Sequence, residues 1–592
     1  MSKEYSENEL VEQTTIEALR DGLKYDYMYC MDEWKTGKSF LGRDTKSDVI
    51  LITRLKEAIN KLNPGLPEEA KQKATNELLN DRSRLSLVKA NQEIYKLIKN
   101  GIKINFLNDK GEYEDRTVKI IDFNDIENND FFLTSQFWIT GEIYPRRPDL
   151  IGFINGIPMI LIELKATNKT VKDAFDDNIT DYKDTIPQLF WYNAFIIISN
   201  GKEAKIGTLS SGFEHFNDWK KICNEDEVGI ISLETVTKGI CEKNRFIDIL
   251  ENFILFTIKQ GKQIKIIAKN HQYLGVNKAI ESFNDRKENK GKLGVFWHTQ
   301  GAGKSFSMIF FSQKVLRKFP GNFTFLIITD RITLDKQIYQ NFSDAGAVIE
   351  EEVRAKDGKH LKQLLKEDHR HVFTLIHKFK TEKGEKYPEL SDRDDIIIMT
   401  DEAHRTQYDT LALNMRNALP KACFLAFTGT PLMAKGEEKT KDTFGKYVSV
   451  YNFRASIEDE ATVPLFYENR VPELKLQNPR LNEDIYNVID EADLDERQEE
   501  KLAREFSKQY HIITRENRLD SIAKDIVEHY LSRGYSGKAM VVSIDKFTTV
   551  KMYDKVQHYW ESKIDELNKK LKDAKNEELK KIKEKIIEMK ET

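Results

Sequence analysis

The sequence GVFWHTQGAGKS, which spans Gly294–Ser305, decides the fold of the middle of the chain. Its apolar start predicts a buried strand, its glycine-rich second half predicts a tight loop, and Phe306–Lys314 predicts a helix. Small residues let backbone N–H groups wrap around phosphate oxygens, and the helix start adds partial positive charge. The pattern therefore predicts a nucleotide site in which Lys304 reaches the β- and γ-phosphates and Ser305 binds Mg²⁺, although His298 replaces the usual first glycine.

Two later stretches support this interpretation. Asp401 and Glu402 follow an apolar run that ends at Met399-Thr400, and Thr428–Pro431 reads TGTP after another apolar run. A magnesium-binding Asp and a water-polarising Glu belong at the C-terminal edge of a parallel sheet, beside the phosphate loop. Two acids after a strand are, taken alone, more typical of a helix N-cap. Short apolar strands alternate here with helices and predict a parallel sheet with crossover helices: Gly294–Trp297, Phe323–Thr329, Ile396–Thr400 and Cys423–Phe427.

These stretches resemble the motifs of superfamily 2 nucleic-acid helicases and translocases. Thr299–Ser305 resembles their first motif, Asp401–His404 their DEAH box and Thr428–Pro431 their third motif. The resemblance implies ATP and Mg²⁺ as cofactors, with Ser305 and Asp401 binding the ion. It implies an ATP site formed by Gln272, Thr299, Gln300, Gly301, Ala302, Gly303, Lys304, Ser305 and Asp401. Gln272 fits equally well as an exposed helical glutamine. By the same resemblance Glu402 activates water, while His404, Thr428 and Thr430 couple hydrolysis to movement along DNA.

A second constellation lies upstream, around Asp149, Glu163 and Lys165. In a strand Glu163 and Lys165 share a face, and two carboxylates with a lysine can hold a divalent metal and activate an attacking water. Read on its own, Glu-x-Lys is more typical of a surface hairpin. Asn155-Gly156 predicts a two-residue hairpin turn, which would place Asp149 opposite position 162 and on the wrong face. The site therefore requires a one-residue shift, such as a bulge, or a bend in the chain at Asp149, and Pro158 is a natural position for a bulge.

Pro148-Asp149 and Glu163-x-Lys165 resemble the signature of PD-(D/E)xK nucleases. The stretch from Gln188 to Tyr192 resembles the QxxxY element of the branch similar to RecB nucleases. The resemblance implies that Asp149 and Glu163 bind Mg²⁺ and that Lys165, Gln188 and Tyr192 complete the catalytic site. An upstream acid often completes such sites, and Glu57 is the candidate that the sequence offers.

The composition excludes other classes of protein. The 592 residues include 93 Lys and Arg against 97 Asp and Glu, a net charge of −4, so a uniformly basic nucleic-acid coat is excluded. An apolar fraction of 40% excludes wholesale disorder. The polar start is no secretory signal, no apolar run approaches a membrane span, and the four cysteines lack zinc spacing. We therefore expect a cytoplasmic protein with no membrane partner.

A nuclease N-terminal to a superfamily 2 motor resembles the restriction subunit of type I restriction–modification enzymes. The expected fold is α/β: a PD-(D/E)xK endonuclease domain over residues 1–255, a RecA-like parallel-sheet motor lobe over 256–470, and a linker with the start of a second RecA-like lobe over 471–592. The resemblance implies an ATP-dependent translocase and endonuclease that cleaves double-stranded foreign DNA. It also implies two partners that this chain does not encode, a methylation subunit and a DNA-specificity subunit.

The second lobe is expected to be incomplete. Ala539–Val542 predicts its first strand, and a charged helical segment follows in place of the late motor motifs. We therefore expect a chain that is truncated within the motor and turns ATP over poorly, because arginines of those motifs stabilise the transferring phosphoryl group. Two alternatives stay open: a superfamily 2 motor without nuclease activity, and a non-catalytic fragment that binds DNA or ATP.

Overall fold

The computed structural model describes residues 7–107, 111–142, 144–350, 352–379, 387–401, 408–430, 442–470, 513–533, 537–573 and 576–591. Contacts along the chain divide it into two compact units, Met1–Pro464 and Leu465–Thr592. The first unit holds two large sheets with helices packed on them, which confirms the expected mixed α/β class.

The N-terminal sheet has seven strands in the order β1-β4-β7-β8-β9-β10-β11 and mixes parallel with antiparallel pairs. Its central strands, β4, β7, β8 and β9, are buried along their whole length. The strand bounds are β1 Asp26–Tyr29, β2 Ile102–Leu107, β3 Tyr113–Val118, β4 Phe131–Ser135, β5 Ile139–Thr140, β6 Pro145–Arg146, β7 Leu150–Ile154, β8 Ile157–Leu164, β9 Phe195–Ser199, β10 Ala204–Gly207 and β11 Asn217–Asp218. β2 with β3, and β5 with β6, form separate two-stranded ribbons.

Helices cover this sheet, and their bounds follow the breakers in the sequence. The second helix ends before Asn63-Pro64-Gly65, a strong breaker of helices. The helices are α1 Glu7–Glu17, α2 Ile52–Leu62, α3 Glu68–Leu79, α4 Leu87–Asn100, α5 Val171–Asp173, α6 Thr180–Thr185, α7 Leu233–Ile240 and α8 Lys243–Asn252. A π-helical segment, Ala174–Ile179, joins α5 to α6. A hairpin of β12 Ile254–Lys259 and β13 Lys262–Ile267 leads into the next sheet.

The second sheet has six strands in the order β16-β15-β17-β18-β14-β19, all parallel, which confirms the predicted parallel sheet. Its strands are β14 Lys292–His298, β15 Thr324–Thr329, β16 His371–Leu375, β17 Ile396–Asp401, β18 Cys423–Thr428 and β19 Tyr447–Tyr451. The helices around it are α9 Asn270–Asn284, α10 Lys304–Lys318, α11 Ile332–Asp344, α12 Gly358–Leu364, α13 Tyr408–Ala418 and α14 Phe453–Glu458. Parallel strands of this kind read as continuous apolar runs because both faces are covered.

The second unit is helical in its described part, with α15 Glu516–Ser532, α16 Lys546–Asp573 and α17 Asn576–Glu591. Leu567 packs with Ile586 and Met589 between the last two helices. The predicted strand at Ala539–Val542 is wrong, since these residues form no regular structure and Met540 is 87% exposed. A strand needs a neighbour for its backbone N–H and C=O groups, and the described residues of this unit provide none. In the described part of the chain, no helix has the length and hydropathy required to cross a membrane.

Candidate functional site: a carboxylate pair and a phosphate loop

The hairpin of β7 and β8 contains the one-residue shift that the sequence requires. Ile154 pairs with Ile157 and Phe153 with Pro158, but Gly152 pairs with Ile160, so Met159 is the extra residue. Beyond this bulge Leu150 pairs with Ile162. Continuing this register places Asp149 opposite Glu163. The predicted bulge beside Pro158 is confirmed, and it brings the two acids together.

Glu163 is a buried carboxylate, 2% exposed. Its Oε1 accepts hydrogen bonds from Asn178 Nδ2 at 2.5 Å and from the Tyr182 hydroxyl at 3.3 Å. Its Oε2 is buried and has no hydrogen-bond partner among the described residues. Burial, and next the negative charge of Asp149, hold the pKa of Glu163 well above its usual range.

Asp149 lies at the start of β7. Its Oδ2 accepts the backbone N–H of Leu164 at 2.8 Å, and its backbone carbonyl accepts the N–H of Gln136 at 2.9 Å. Burial raises the pKa of Asp149, while the Leu164 N–H and the positive charges of Lys165 and Arg147 oppose that rise. The two carboxylates thus lie in one desolvated site, where a bound cation would reduce the electrostatic repulsion between them.

Lys165 follows the end of β8 and is turned toward the same site. Its Nζ donates to Asn178 Oδ1 at 2.5 Å, and Asn178 in turn binds Glu163, so the amide connects the lysine to the buried acid. Lys165 also lies 3.9 Å from the exposed Asp177. The side chain of Lys165 is 16% exposed, which leaves the ammonium at the boundary between the site and solvent.

The structure does not bring Gln188 and Tyr192 to the carboxylates, so this part of the expectation is corrected. Gln188 Nε2 donates to the Thr140 carbonyl at 3.1 Å, and the Tyr192 hydroxyl donates to the Leu78 carbonyl at 2.9 Å. Tyr192 therefore anchors α3 to the sheet.

Asn178 and Tyr182 occupy the place predicted for that element. They have the same four-residue spacing as Gln188 and Tyr192, on the helical segment that packs beside β8. The signal was present in the sequence, but it was hidden because asparagine stands where glutamine was sought.

Glu57, the candidate third acid, is also misplaced. It is exposed and lines a surface cavity with Arg54, Lys61 and Asp130. An acid that does come close is Glu12 of α1, whose Oε2 accepts Gln136 Nε2 at 2.8 Å; the Gln136 side chain also hydrogen-bonds Asp149. Gln136 thus connects Glu12 to Asp149. The position of α1 creates this proximity, which no local sequence pattern predicts.

Asp149 and Glu163 have the side-chain chemistry to bind a divalent metal ion. Mg²⁺ binds proteins through one or two carboxylates and takes its other oxygens from water and substrate phosphate. Asp149 and Glu163 supply two carboxylates, and the unpartnered Glu163 Oε2 supplies an oxygen that nothing else satisfies. Within the ranges described above, no group of three or more His, Cys, Asp or Glu side chains is arranged around a common point.

The phosphate loop lies at the C-terminal end of β14, in the second sheet. Gly301 and Gly303 have φ of +83° and +80°, which only glycine adopts without strain. Lys304 begins α10, and its Nζ donates to the His298 carbonyl at 3.2 Å. A Cβ on Gly429 would lie 3.2 Å from that Nζ, so the residue after Thr428 approaches the lysine closely.

The strand order explains why the predicted motifs meet. β17, β18 and β14 are neighbours, with Asp401 paired to Phe427 and Trp297 paired to Thr428. Asp401, Thr428 and the phosphate loop thus lie at one edge of the sheet. The Thr428 hydroxyl donates to the Thr430 carbonyl at 3.0 Å, which closes the turn after β18. Glu402 and His404 lie outside the described residues, so their predicted roles stay predictions.

Other predicted ATP-site residues are held by the loop itself. Thr299 is buried and its N–H donates to the Tyr451 carbonyl at 2.9 Å, whereas Gln300 is exposed. Ala302 is buried, and Ser305 lies in the first turn of α10. Both ends of the Gln272 amide are occupied, because Nε2 donates to the Gly303 carbonyl at 2.9 Å and Oε1 accepts the Lys269 N–H. The predicted contact of Gln272 with adenine stays a prediction.

Two histidines lie beside the loop, and no sequence motif assigned them a function. Burial lowers the pKa of His271 to about 4, so at neutral pH its Nε2–H donates to the Ala302 carbonyl at 3.0 Å. His271 also stacks on Tyr451 at 3.8 Å. His298 is fully buried, 2.7 Å from the Ser449 hydroxyl and against the Phe296 ring. The departure from the usual first glycine is therefore a core residue that joins β14 to β19.

Family comparisons agree with both parts of the chain. The family model described as Type I restriction enzyme R protein N terminus matches residues 4–215, and the one described as SWI2/SNF2 ATPase matches residues 271–501. The chain therefore carries the N-terminal region of type I restriction enzyme R proteins, followed by a SWI2/SNF2 ATPase region.

Relatives of this family resemble the chain along nearly all of its length. A Methanocaldococcus jannaschii protein named as the MjaIXP endonuclease subunit of a type I restriction enzyme is 35% identical, over 93% of this chain and 54% of its own length. The HindI endonuclease subunit of Haemophilus influenzae is 34% identical, over 92% of this chain and 53% of its own. The chain thus spans about half the length of these relatives.

A solved fragment of a type I restriction enzyme subunit from Vibrio vulnificus is 15% identical, covers 72% of this chain and 70% of the fragment, and has a TM-score of 0.29. A score that low carries no argument about this fold.

Proposed function

We propose that this chain is the part of a type I restriction enzyme R protein that cleaves double-stranded DNA and binds ATP. The carrying observation is the pair of half-buried Asp149 and buried Glu163, with one Glu163 oxygen that has no hydrogen-bond partner among the described residues. Burying two acids together costs free energy, and the cost is offset when a cation binds between them. We infer residues 1–255 as the endonuclease domain and 256–470 as the first motor lobe.

In the nuclease site the chain supplies ligands and a positioned ammonium. Asp149 and Glu163 would hold Mg²⁺, which when bound supplies Lewis-acid stabilisation of the attacked phosphate and a more acidic water. Asn178 fixes Glu163 Oε1 and orients Lys165, so that the lysine faces the site. Lys165 is then placed to stabilise negative charge on the phosphate and to orient the attacking water.

In the nucleotide site the loop would wrap the ATP phosphates with its N–H groups, and Lys304 would exchange its two carbonyl partners for phosphate oxygens. Ser305 and Asp401 would hold the magnesium of MgATP. A cavity of about 520 Å³ opens beside His271 and is lined by Asn270, Tyr451 and Arg454, which offers room for the nucleoside. We further propose that the protein acts with methylation and specificity subunits, because the name of this family describes one subunit of a larger enzyme.

Two assays test this proposal. Circular duplex DNA incubated with Mg²⁺ should be cleaved by the wild-type chain and not by Lys165→Met, which keeps the stem but removes the charge. Equilibrium binding of a fluorescent ATP analogue should be lost in Lys304→Ala. Cleavage that persists in Lys165→Met would reject the nuclease site, and binding that persists in Lys304→Ala would reject the phosphate loop.

A further inference from the structure

The segment between β4 and β7 contains a second built feature beside Asp149. It starts at Gln136, a residue with φ of +57°, a conformation that non-glycine residues rarely adopt. Its N–H bonds the Asp149 carbonyl and its side chain bonds the Asp149 carboxyl group. Strained residues that surrounding contacts hold in place are concentrated at functional sites. This one fixes the course of the chain directly after the sheet.

Two residues later, Trp138 is held by a buried ion pair. The Arg43 guanidinium donates to the Trp138 carbonyl from both terminal nitrogens, at 3.0 and 3.1 Å. Arg43 also pairs with Glu33, with both side chains fully buried, and lies 3.9 Å from the Phe137 ring centroid. The backbone of Trp138 therefore has a rigid foundation, while its side chain remains half-buried at the surface.

Two cations are gathered at the Trp138 ring. The Arg147 guanidinium carbon lies 5.2 Å and Lys46 Nζ 5.7 Å from the ring centroid, both within the range of cation–π attraction. The Lys46 backbone is fixed as well, since its carbonyl accepts the Thr140 N–H at 3.0 Å. Over the described ranges neither cation joins an ion pair, whereas the adjacent Arg146 is bound by both oxygens of Asp181. The two neighbouring arginines before Asp149 thus have different surroundings.

Arg147 is also close to the proposed metal ligands. It lies two residues before Asp149, and its positive charge lowers the pKa of that carboxyl group. Trp138 lies two residues after Gln136, which bonds Asp149 directly. Arg147 thus borders the carboxylate pair and shares the Trp138 ring with Lys46, so a DNA strand must pass Arg147 if Asp149 and Glu163 bind the scissile phosphate.

We propose that Arg147 and Lys46, held over the Trp138 ring, form a clamp for backbone phosphates of duplex DNA next to the scissile bond. The ring limits the freedom of both side chains, so less entropy is lost when phosphates bind. The clamp reads no sequence, because phosphate contacts position DNA without distinguishing bases. This inference rests on the proposed nuclease function, and it adds the residues that bring the strand to the metal.

The test measures binding of the wild-type chain to a short duplex in EDTA, where cleavage cannot occur, over a range of KCl concentrations. Each lost phosphate contact lowers the slope of log K against log salt by about 0.9. Arg147→Gln and Lys46→Gln combined should therefore lower it by about 1.8, and each alone by about 0.9. Glutamine retains much of the side-chain length, and thermal unfolding verifies that the variants fold.

Lys243→Gln is the matched control. Lys243 lies 5.2 Å from the ring centroid of Phe131, the first residue of β4. Phe131 is at the end of β4 that lies away from the site. The Lys243→Gln substitution should leave the salt slope unchanged. An unchanged slope in the double variant would overturn the clamp. If the wild-type chain fails to cleave DNA in Mg²⁺, the nuclease proposal fails, but the slopes still decide whether these cations bind phosphate.

Discussion

Glu163→Gln should stabilise the metal-free protein while it removes DNA cleavage. In the wild-type chain, Glu163 is 2% exposed, one of its oxygens has no partner, and Asp149 repels its charge. A glutamine can still accept the Asn178 hydrogen bond through its carbonyl oxygen. Its amide nitrogen takes the place of the unpartnered oxygen and can donate toward Asp149. A hydrogen bond to a charged group contributes about 1.5–3 kcal/mol, so the expected gain is about 1–3 kcal/mol at pH 8 in EDTA.

The raised pKa of Glu163 determines how the stability difference between the wild-type chain and Glu163→Gln changes with pH. The native protein retains this proton to a higher pH than the unfolded chain, so it binds more protons and loses stability as pH rises above about 4.5, the usual pKa of glutamate. Glu163→Gln lacks this titration. The advantage of the variant should therefore grow as pH increases from about 4.5 toward the folded-state pKa.

Metal should shrink or reverse the stability advantage of Glu163→Gln. A ligand that binds only the native state at 100 times its Kd adds about 2.7 kcal/mol, and the wild-type chain should gain this from Mg²⁺ or Mn²⁺ while the variant gains much less. Thermal unfolding in EDTA and in metal, with the exposed Glu57→Gln as control, measures both effects. A variant that is less stable than wild type in EDTA at pH 8 would refute the reasoning, as would a wild-type chain that metal does not stabilise.

Three further predictions concern other parts of the chain. Asn178→Ala should reduce the rate of DNA cleavage by at least tenfold, because Lys165 and Glu163 lose their shared hydrogen-bond partner. Tyr192→Phe should leave the cleavage rate unchanged and lower the free energy of unfolding in urea by about 1 kcal/mol. Gly303→Ala should abolish binding of a fluorescent ATP analogue, since φ is +80° and the new Cβ would lie 2.7 Å from the Gln272 amide nitrogen; retained affinity would contradict this. Asp248→Ala should cost about 3 kcal/mol in urea unfolding because it removes the carboxylate partner of the buried Lys314 at 2.5 Å, and a loss below 1 kcal/mol would show that the lysine needs no such partner.

The sequence predicted the features that depend on local pattern. Gly301, Gly303 and Lys304 form the expected loop because strand, glycine turn and helix follow each other directly in the chain. The bulge beside Pro158 followed from counting, since only a one-residue shift places Asp149 opposite Glu163. Both inferences need only the residues within a few positions of the site.

Other features depend on contacts that local pattern does not encode. Glu12 reaches the proposed nuclease site because α1 packs near β8, and the order of residues in the sequence gives no sign of this. Tyr192 matched a motif by spacing, but the chain turns so that its hydroxyl meets α3. Ala539–Val542 is apolar enough for a strand, yet a strand forms only where a neighbour accepts its hydrogen bonds.

If one chain carries two separable sites, a metal-dependent nuclease site and a nucleotide site, single substitutions should remove each activity without the other. Mg²⁺-dependent cleavage of circular duplex DNA, measured together with ATP binding for the wild-type chain, Lys165→Met and Lys304→Ala, tests this. Lys165→Met should bind ATP but not cleave, and Lys304→Ala should lose ATP binding but still cleave in the absence of ATP. Cleavage by Lys165→Met at the wild-type rate would contradict it.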